Sequence, residues 1–182
     1  MRGRADAGAG RYRLDFVNEG EAGAGFNVYS GLREDGPWFY TVEAGKRLSD
    51  DWDAVAYGGY DLRAFGPNGF LREFRGGWRD ARALPEADAE YDAERGQLRL
   101  RLRNDGDAAC VLTVAPNRYS GEAPRTHALA AGANAVDVWD IAASDHWYDL
   151  SVSSDSDPRY LRRIAGHVET GRASMSDPAI GA

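Results

Sequence analysis

The sequence predicts an all-β protein built from two tandem immunoglobulin-like antiparallel β-sandwich domains. Short stretches alternate apolar and polar residues, as in residues 98–103, where three leucines alternate with three arginines. A period of two is typical of a half-buried strand. Turn-forming residues recur about every 8–12 positions, which favours a sandwich or a barrel. No stretch sustains the apolar spacing of an amphipathic helix.

The chain contains a tandem repeat. Residues 60–76 (YDLRAFGPNGFLREFRG) and residues 148–166 (YDLSVSSDSDPRYLRRIAG) both begin with Tyr-Asp-Leu, cross a break of turn-forming residues and continue with an aromatic residue, Leu and Arg. Earlier matches keep the same order, since residues 12–20 match residues 98–106 and Trp52 matches Trp139. An ordered series of this kind indicates two duplicated units of roughly 80 residues rather than a solenoid.

The repeat suggests a division of the chain into five segments. Residues 1–10 are expected to be a flexible leader, residues 11–80 the first sandwich, residues 81–88 a linker, residues 89–172 the second sandwich and residues 173–182 a C-terminal tail. Each sandwich is expected to have six or seven strands in a Greek-key arrangement.

Composition excludes several classes of partner. The net charge of −7 argues against nucleic-acid binding and against simple attraction to anionic lipid.

The single cysteine, Cys110, lies on the apolar face of a predicted strand and is expected to be buried. No apolar run approaches the roughly 18–20 residues of a transmembrane segment. Residues 1–11 lack the apolar stretch of a signal peptide.

Motifs for catalysis and metal binding are not found. The three histidines, His127, His146 and His167, are far apart in sequence, so no metal site is expected. The chain has no nucleophile elbow, phosphate-binding loop or dinucleotide fingerprint. Residues 154–157 (SDSD) could bind calcium, but the Gly and Glu of a calcium loop do not follow them, so a hairpin turn is favoured. We therefore predict no catalytic residue, metal ligand or cofactor.

Aromatic residues are the best candidates for a functional surface. Trp52 matches Trp139 and Tyr60 matches Tyr148, so these four are expected in the two cores. Aromatic residues without a match favour packing between the units or contact with a ligand, and packing is the stronger expectation. The candidates for contact with lipid or with another domain are Trp38, Phe39, Tyr40, Tyr57, Trp78 and Trp147.

Arginine clusters have a simpler interpretation. Arg99, Arg101 and Arg103 occupy one face of a predicted strand, and Arg162 and Arg163 are adjacent in another. Solvated strand faces are the favoured interpretation, and a docking surface for another domain is the alternative.

Several longer motifs resemble a known family. Residues 38–46 (WFYTVEAGK), 59–62 (GYDL) and 66–76 (GPNGFLREFRG) resemble the first of two tandem C-terminal domains in bacterial phosphocholine-preferring phospholipases C. Residues 147–152 (WYDLSV) and 162–172 (RRIAGHVETGR) resemble the second, and residues 174–180 (SMSDPAI) resemble the end of such enzymes. The resemblance covers about residues 10–181.

The resemblance implies an accessory role. In that family the chemistry belongs to a large N-terminal α/β domain of alkaline-phosphatase-like type, and no catalytic position falls in this segment. It implies a non-catalytic module of an exported enzyme, with a twin-arginine signal upstream. The module would pack on the catalytic domain and help to engage phosphatidylcholine or sphingomyelin surfaces. The alternatives are a purely structural or assembly module, which stabilises the enzyme or binds a partner protein, and a carbohydrate- or calcium-binding sandwich.

Overall fold

The computed structural model describes residues 1–78 and 82–179. Strands dominate this part of the chain, which contains one 3₁₀ turn and no α-helix, so the all-β prediction is confirmed. The elements are β1 (Arg2–Asp6), β2 (Arg11–Val17), β3 (Ala24–Ser30), β4 (Trp38–Val42), β5 (Arg47–Asp53), β6 (Gly59–Phe65), β7 (Leu71–Gly77), β8 (Pro85–Asp92), β9 (Gln97–Asn104), β10 (Cys110–Arg118), β11 (Arg125–Leu129), β12 (Asn134–Asp140), the 3₁₀ turn (Ala142–Ser144), β13 (Trp147–Ser154) and β14 (Leu161–His167).

The strands form two units of identical topology, here called unit 1 (β1–β7) and unit 2 (β8–β14). In unit 1, β1-β2-β5 form one sheet and β4-β3-β6-β7 lie side by side in a second. Unit 2 repeats this arrangement with β8-β9-β12 and β11-β10-β13-β14. All pairings are antiparallel. The arrangement fits the predicted pair of immunoglobulin-like sandwiches, each with seven strands.

Alternation along the strands builds the two cores. Leu98, Leu100 and Leu102 of β9 are fully buried, while the arginines between them lie towards solvent. Trp52 pairs with Tyr12 in unit 1, and Trp139 pairs with Leu98 in unit 2. Both tryptophans are buried, which confirms the prediction that the repeated aromatic residues belong to the cores.

An asparagine at the end of the second strand fixes the same turn in each unit. The side-chain amide of Asn18 donates to Ala22 O and Val42 O, and its Oδ1 accepts the N–H of Gly20. In unit 2, the amide of Asn104 donates to Ala108 O, Leu129 O and Ala130 O, and its Oδ1 accepts from Gly106. The Asn-x-Gly sequences at residues 18–20 and 104–106 therefore form the same turn, held by the asparagine side chain.

The two units share one sheet. Strand β7 pairs antiparallel with β14, which joins the two four-stranded layers into an eight-stranded sheet of order β11-β10-β13-β14-β7-β6-β3-β4. Glu73 lies opposite Arg163, and these two residues occupy equivalent positions in β7 and β14. The units are therefore related by a pseudo-two-fold axis that passes between these residues.

Two segments differ from the expected division of the chain. Residues 2–6, expected in a flexible leader, form β1 on β2, and residues 85–88, expected in a linker, belong to β8. Neither segment has the alternating apolar pattern that predicts a strand. Both are held in strands by backbone hydrogen bonds to the neighbouring strand. At Gly3 an added Cβ would collide with the Tyr12 hydroxyl and the Phe74 ring. The expected boundary between residues 80 and 81 and the last three residues of the expected tail, 180–182, lie outside the described residues.

Buried arginines are a second difference from expectation. Arg162, expected on a solvated face, is 0 % exposed, and its equivalent Arg72 is 3 % exposed. Both lie at the junction of the units, on β14 and β7. Strand alternation explains the error, because position 162 lies on the same inward face as Ile164 while Arg163 lies on the outer face.

Candidate functional site

The six candidate aromatic residues lie in different environments. Phe39 is 73 % exposed on β4, the edge strand of the eight-stranded sheet, and Tyr57 is exposed in the turn after β5. Trp38 and Tyr40 pack against the core of unit 1 on the opposite face of β4. Trp78 and Trp147 are half-buried near the junction of the units. The structure therefore does not bring the six together as one site.

Phe39 shares one outer face of the sheet with two other exposed aromatic residues. Phe39 lies opposite Asn27, which in turn lies opposite Phe65, so the three residues form one row across β4, β3 and β6. Tyr29 lies two residues beyond Asn27, and its ring packs edge-on against Phe65 at 5.7 Å between centroids. Tyr29, Phe39 and Phe65, all exposed, are called the aromatic face from here on.

Sequence reasoning missed two members of the aromatic face. Tyr29 and Phe65 are not among the six candidates, although strand alternation places both outward: the neighbours Val28 and Ala64 are fully buried. The signal was therefore present in the sequence as a large aromatic residue at an outward position of a strand. Such a residue is informative when several cluster, since single exposed apolar residues are common.

Unit 2 carries small side chains where unit 1 carries the aromatic face. The strand registers of the two units superimpose, with Thr113 of β10 at the position of Asn27 of β3. None of the corresponding residues is aromatic. The positions equivalent to Tyr29, Phe39 and Phe65 are Ala115, Thr126 and Ser153. The fold therefore does not require aromatic residues at these positions.

Trp38 and Tyr40 have structural contacts that explain them. The Trp38 ring packs edge-on against Trp52 at 4.6 Å, and the Arg33 guanidinium lies 4.8 Å from the Trp38 ring. Tyr40 stacks on Phe16 at 4.5 Å, and its hydroxyl donates to Asp50. Burial and this hydrogen bond raise the pKa of Tyr40 well above its usual value. Both side chains therefore close the edge of the sandwich.

Trp147 anchors residues of the C-terminal tail. Its indole N–H donates to Met175 O at 3.2 Å, and its ring lies 4.9 Å from His167 and 6.0 Å from Tyr119. The Tyr119 hydroxyl donates to Asp177 at 2.6 Å, and burial together with this hydrogen bond raises the pKa of Tyr119 to about 12. Trp147 therefore serves the chain itself rather than an exposed surface.

Trp78 lines a cleft of about 500 Å³ between the two units. Tyr60, Glu86, Asp157 and Tyr160 also line it, and the Tyr160 hydroxyl has no hydrogen-bond partner among the described residues. The volume falls in the range of small-molecule sites. Both carboxylates are already used by the protein: Glu86 binds Arg162, and Asp157 accepts the N–H of Gly77. The cleft therefore offers no free acid for catalysis or metal binding.

A buried ionic network lies beside this cleft. Arg162 donates from Nε and Nη2 to the two oxygens of Glu86, at 2.8 Å each, and from Nη2 to Tyr60 Oη at 2.6 Å. Burial raises the pKa of Tyr60 to about 12 and the charge on Arg162 opposes this shift. Burial also raises the pKa of Glu86, against the same opposing charge. The pair is bidentate and fully enclosed, as a buried ion pair requires.

Neither a metal site nor a membrane-spanning helix is found in the described part of the chain. Within residues 1–78 and 82–179, no group of three or more His, Cys, Asp or Glu side chains has an arrangement suited to a metal ion. No helix in the same residues is long and apolar enough to cross a bilayer. Cys110 is buried, and burial raises the pKa of its thiol, so it lacks the features of a nucleophile.

The fold and its surface define a duplicated immunoglobulin-like module with an aromatic face on unit 1 alone. The chain belongs to a known family, whose description is bacterial phospholipase C, C-terminal domain. The family pattern matches twice, over residues 2–77 and residues 85–167. These two matches coincide with unit 1 and unit 2, and both include the first strand of the unit.

Curated relatives are much longer than this chain. A non-hemolytic phospholipase C of Burkholderia pseudomallei (strain K96243) is 52% identical over 182 residues, which are 98% of this chain and 26% of the relative. A non-hemolytic and a hemolytic phospholipase C of Pseudomonas aeruginosa (strain PAO1) are each 40% identical, over 98% and 96% of this chain and 27% of each relative. The chain thus spans about a quarter of their length.

Proposed function

We propose that this chain is the non-catalytic accessory module of an exported bacterial phospholipase C, which packs on the catalytic domain and helps the enzyme to engage its lipid substrate. The observation that carries the lipid role is the aromatic face of unit 1. Support for the parent enzyme comes from the family match and from the relatives, which are named phospholipases C. The catalytic domain is the proposed partner, and no cofactor is proposed for the module.

The chemistry of the aromatic face favours a zwitterionic lipid surface. Phe and Tyr combine an apolar ring with low conformational entropy, and aromatic side chains are enriched where proteins meet the lipid headgroup region. The net charge of −7 disfavours an anionic surface, so attraction would come from apolar burial rather than charge. Phosphatidylcholine and sphingomyelin have neutral headgroups and fit this requirement.

The comparison between units strengthens the case for a function. Duplication gave two copies of the same outer sheet face, and the second copy folds with Ala115, Thr126 and Ser153 at these positions. Exposed aromatic residues raise the risk of aggregation and bring no core packing. Their presence on unit 1 therefore supports contact with something outside the module.

Exchange of residues between the units gives a sharp test. In a triple variant, Tyr29→Ala, Phe39→Thr and Phe65→Ser give unit 1 the residues that unit 2 already carries, so the fold should be kept. Binding would be measured by co-sedimentation with phosphatidylcholine vesicles. We expect the parent chain to bind and the triple variant to bind about tenfold more weakly or worse.

A matched control removes exposed apolar area elsewhere. Val136 and Val138 lie exposed on β12, an edge of the other sheet of unit 2. The Val136→Thr, Val138→Thr variant should bind vesicles like the parent chain. The lipid role is wrong if the folded parent chain does not bind vesicles. It is also wrong if the triple variant binds vesicles as strongly as the parent chain and the control variant do.

A purely structural or assembly role is the second candidate. Beyond the aromatic face, the outer surface of the shared sheet carries ion pairs such as Arg63–Glu73 at 3.3 Å and Arg163–Asp149 at 2.7 Å. Protein–protein interfaces combine such polar groups with aromatic residues. Deleting the module from a full-length relative would separate the two roles: loss of enzyme half-life with unchanged preference for vesicles supports the structural role.

A further inference from the structure

The Tyr160 hydroxyl is a buried group without a partner. Tyr160 lines the cleft of about 500 Å³ between the units and is 5 % exposed, and its hydroxyl makes no hydrogen bond to any residue that the structure describes. Burial raises the pKa of Tyr160 well above its usual value, so the hydroxyl keeps its proton. A buried donor without a partner is destabilising, and native proteins contain few of them. A bound molecule with a hydrogen-bond acceptor would remove this cost.

The equivalent residue of unit 1 has no hydroxyl. Tyr160 corresponds to Phe70, since each lies two residues before a buried arginine of the paired strands β14 and β7. The ring contacts are also equivalent. The Arg162 guanidinium lies 4.4 Å from the centroid of the Tyr160 ring, and the Arg72 guanidinium lies 4.2 Å from the centroid of the Phe70 ring. The fold therefore accepts phenylalanine at this position, and ring packing does not explain the hydroxyl.

Unit 1 has a small residue in the cleft where unit 2 has a tyrosine. Ala5 of β1 lies opposite Tyr12, and Tyr91 of β8 lies opposite Leu98, the equivalent of Tyr12. The Tyr91 ring packs against Tyr148 at 5.9 Å between centroids, and the two hydroxyls lie 3.0 Å apart. Ala5, which lines the cleft, therefore leaves open the space that a tyrosine ring fills in unit 2.

The walls of the cleft suit an aromatic ring. Tyr60, the equivalent of Tyr148, lines the cleft together with Trp78. Apolar side chains complete this part of the lining, namely Ala83, Leu84 and Pro85. Packing between aromatic rings contributes beyond the area that they bury. Small-molecule sites often lie between domains and combine apolar walls with a few polar groups that orient the ligand. The cleft has this character, with the Tyr160 hydroxyl as an orienting group.

We propose that the cleft binds a small aromatic molecule, whose ring occupies the space beside Ala5 and Tyr60 and whose polar substituent accepts a hydrogen bond from Tyr160. In unit 2 the chain supplies such a ring itself, as Tyr91. The phenol ring of tyrosine is therefore the template for the ligand, and p-cresol, the tyrosine side chain as a free molecule, is the simplest probe. The aromatic face does not contribute to the cleft, so the site is independent of the lipid role.

Titration of the chain with p-cresol tests the site without lipid. The indole N–H signals of the five tryptophans would be followed by ¹⁵N NMR, and the signal of Trp78 would be assigned with Trp78→Phe. We expect this signal to shift with a dissociation constant of about 1 mM, a modest affinity for a ligand of this size. Toluene, which lacks the hydroxyl, should bind about tenfold more weakly. An unmoved Trp78 signal at about 10 mM p-cresol, or equal affinity for toluene, would overturn the proposal.

Two substitutions test the two parts of the site. Ala5→Tyr gives the cleft the ring that unit 2 carries, so p-cresol should no longer shift the Trp78 signal. Ala9→Tyr, on the exposed turn after β1, is the matched control and should bind p-cresol like the parent chain.

Tyr160→Phe introduces the residue that unit 1 carries, so this variant should fold. It should lose the preference for p-cresol over toluene. It should also melt about 2–4 °C above the parent chain, because the unpaired hydroxyl is gone. Binding of p-cresol to Ala5→Tyr with the parental affinity would show that the cleft is not the site. A melting temperature of Tyr160→Phe below that of the parent chain would show that the hydroxyl already has a partner. Either result would overturn the proposal.

Discussion

Arg72 on β7 and Arg162 on β14 each donate to a tyrosine hydroxyl of the opposite unit: Arg72 to Tyr148 at 3.2 Å, and Arg162 to Tyr60 at 2.6 Å. Each also donates to a backbone carbonyl across the β7–β14 pairing. The junction between the units is therefore a buried polar core, held by two equivalent sets of charge-assisted hydrogen bonds. Stability of the whole chain should depend on it.

Breaking the ion pair of Arg162 should be strongly destabilising. Glu86→Gln leaves a buried guanidinium without its counter-charge, and we expect a loss of about 3–5 kcal/mol in the free energy of unfolding. Urea denaturation would measure it. Glu90→Gln is the control, because the Glu90–Arg101 pair lies at the surface and should contribute less than about 1 kcal/mol. Equal effects of the two substitutions would contradict the importance of the buried pair.

Tyr60 should make the fold sensitive to alkali. Its pKa is raised from 10.0 to about 12 by burial, so the unfolded chain loses this proton first as the pH rises. Stability is unaffected below pH 10 and falls between about pH 10 and pH 12, with Tyr60 contributing about 2 kcal/mol of the loss. Tyr60→Phe should be less stable at pH 8 but lose less stability over this interval. The free energy of unfolding would be measured by urea denaturation at several pH values. If it falls with pH as steeply in Tyr60→Phe as in the parent chain, this assignment is wrong.

The two turn asparagines should differ in importance. Asn104 is fully buried, and Asn104→Ala leaves several backbone groups without partners, so we expect a loss of about 3 kcal/mol. Asn18 lies partly exposed, where water can replace the lost bonds, and Asn18→Ala should cost about 1 kcal/mol. Chemical denaturation of both variants gives the comparison, and the reverse order would show that burial does not decide the effect.

The C-terminal tail should be released when its anchor is removed. Trp147→Phe removes the donor to Met175 O and leaves the aromatic ring in place. We expect trypsin to cleave after the exposed Arg172 about fivefold faster in the folded Trp147→Phe variant than in the folded parent chain. The reason is that the tail detaches from the second unit more often without the indole hydrogen bond. Trp38→Phe, remote from the tail, serves as the control. Cleavage at the parental rate in both would show that the indole does not hold the tail.

The repeat and the strand alternation predict most of the fold. The burial of Leu98, Trp52 and Trp139 follows from the sequence alone, because a large apolar side chain at an alternating position of a strand is usually in the core. The motif Tyr-Asp-Leu places the first residue in the core of each unit, and Tyr60 and Tyr148 are both buried. Local pattern was sufficient for the repeated core positions of each unit.

Strand β1, the contacts between the units and most of the aromatic face could not be predicted in this way. Strand β1 has no alternating apolar pattern, and its residues are held by backbone pairing and by close packing at Gly3. Arg162 has the composition of an exposed position, and its burial depends on Glu86, which lies far away in sequence. Only Phe39 of the three residues of the aromatic face is among the candidates from the sequence. Strand alternation places Tyr29 and Phe65 outward, but their grouping with Phe39 depends on the order of the strands in the assembled sheet.

The continuous eight-stranded sheet fixes the orientation of unit 1 relative to unit 2. A pair of sandwiches joined by a flexible linker could swivel, but hydrogen bonds between β7 and β14 leave no hinge along their shared edge. Any surface that seats unit 1 also sets the tilt of unit 2, and of whatever chain is attached to either. A surface that binds unit 1 would therefore determine both the position and the orientation of a chain attached to the module.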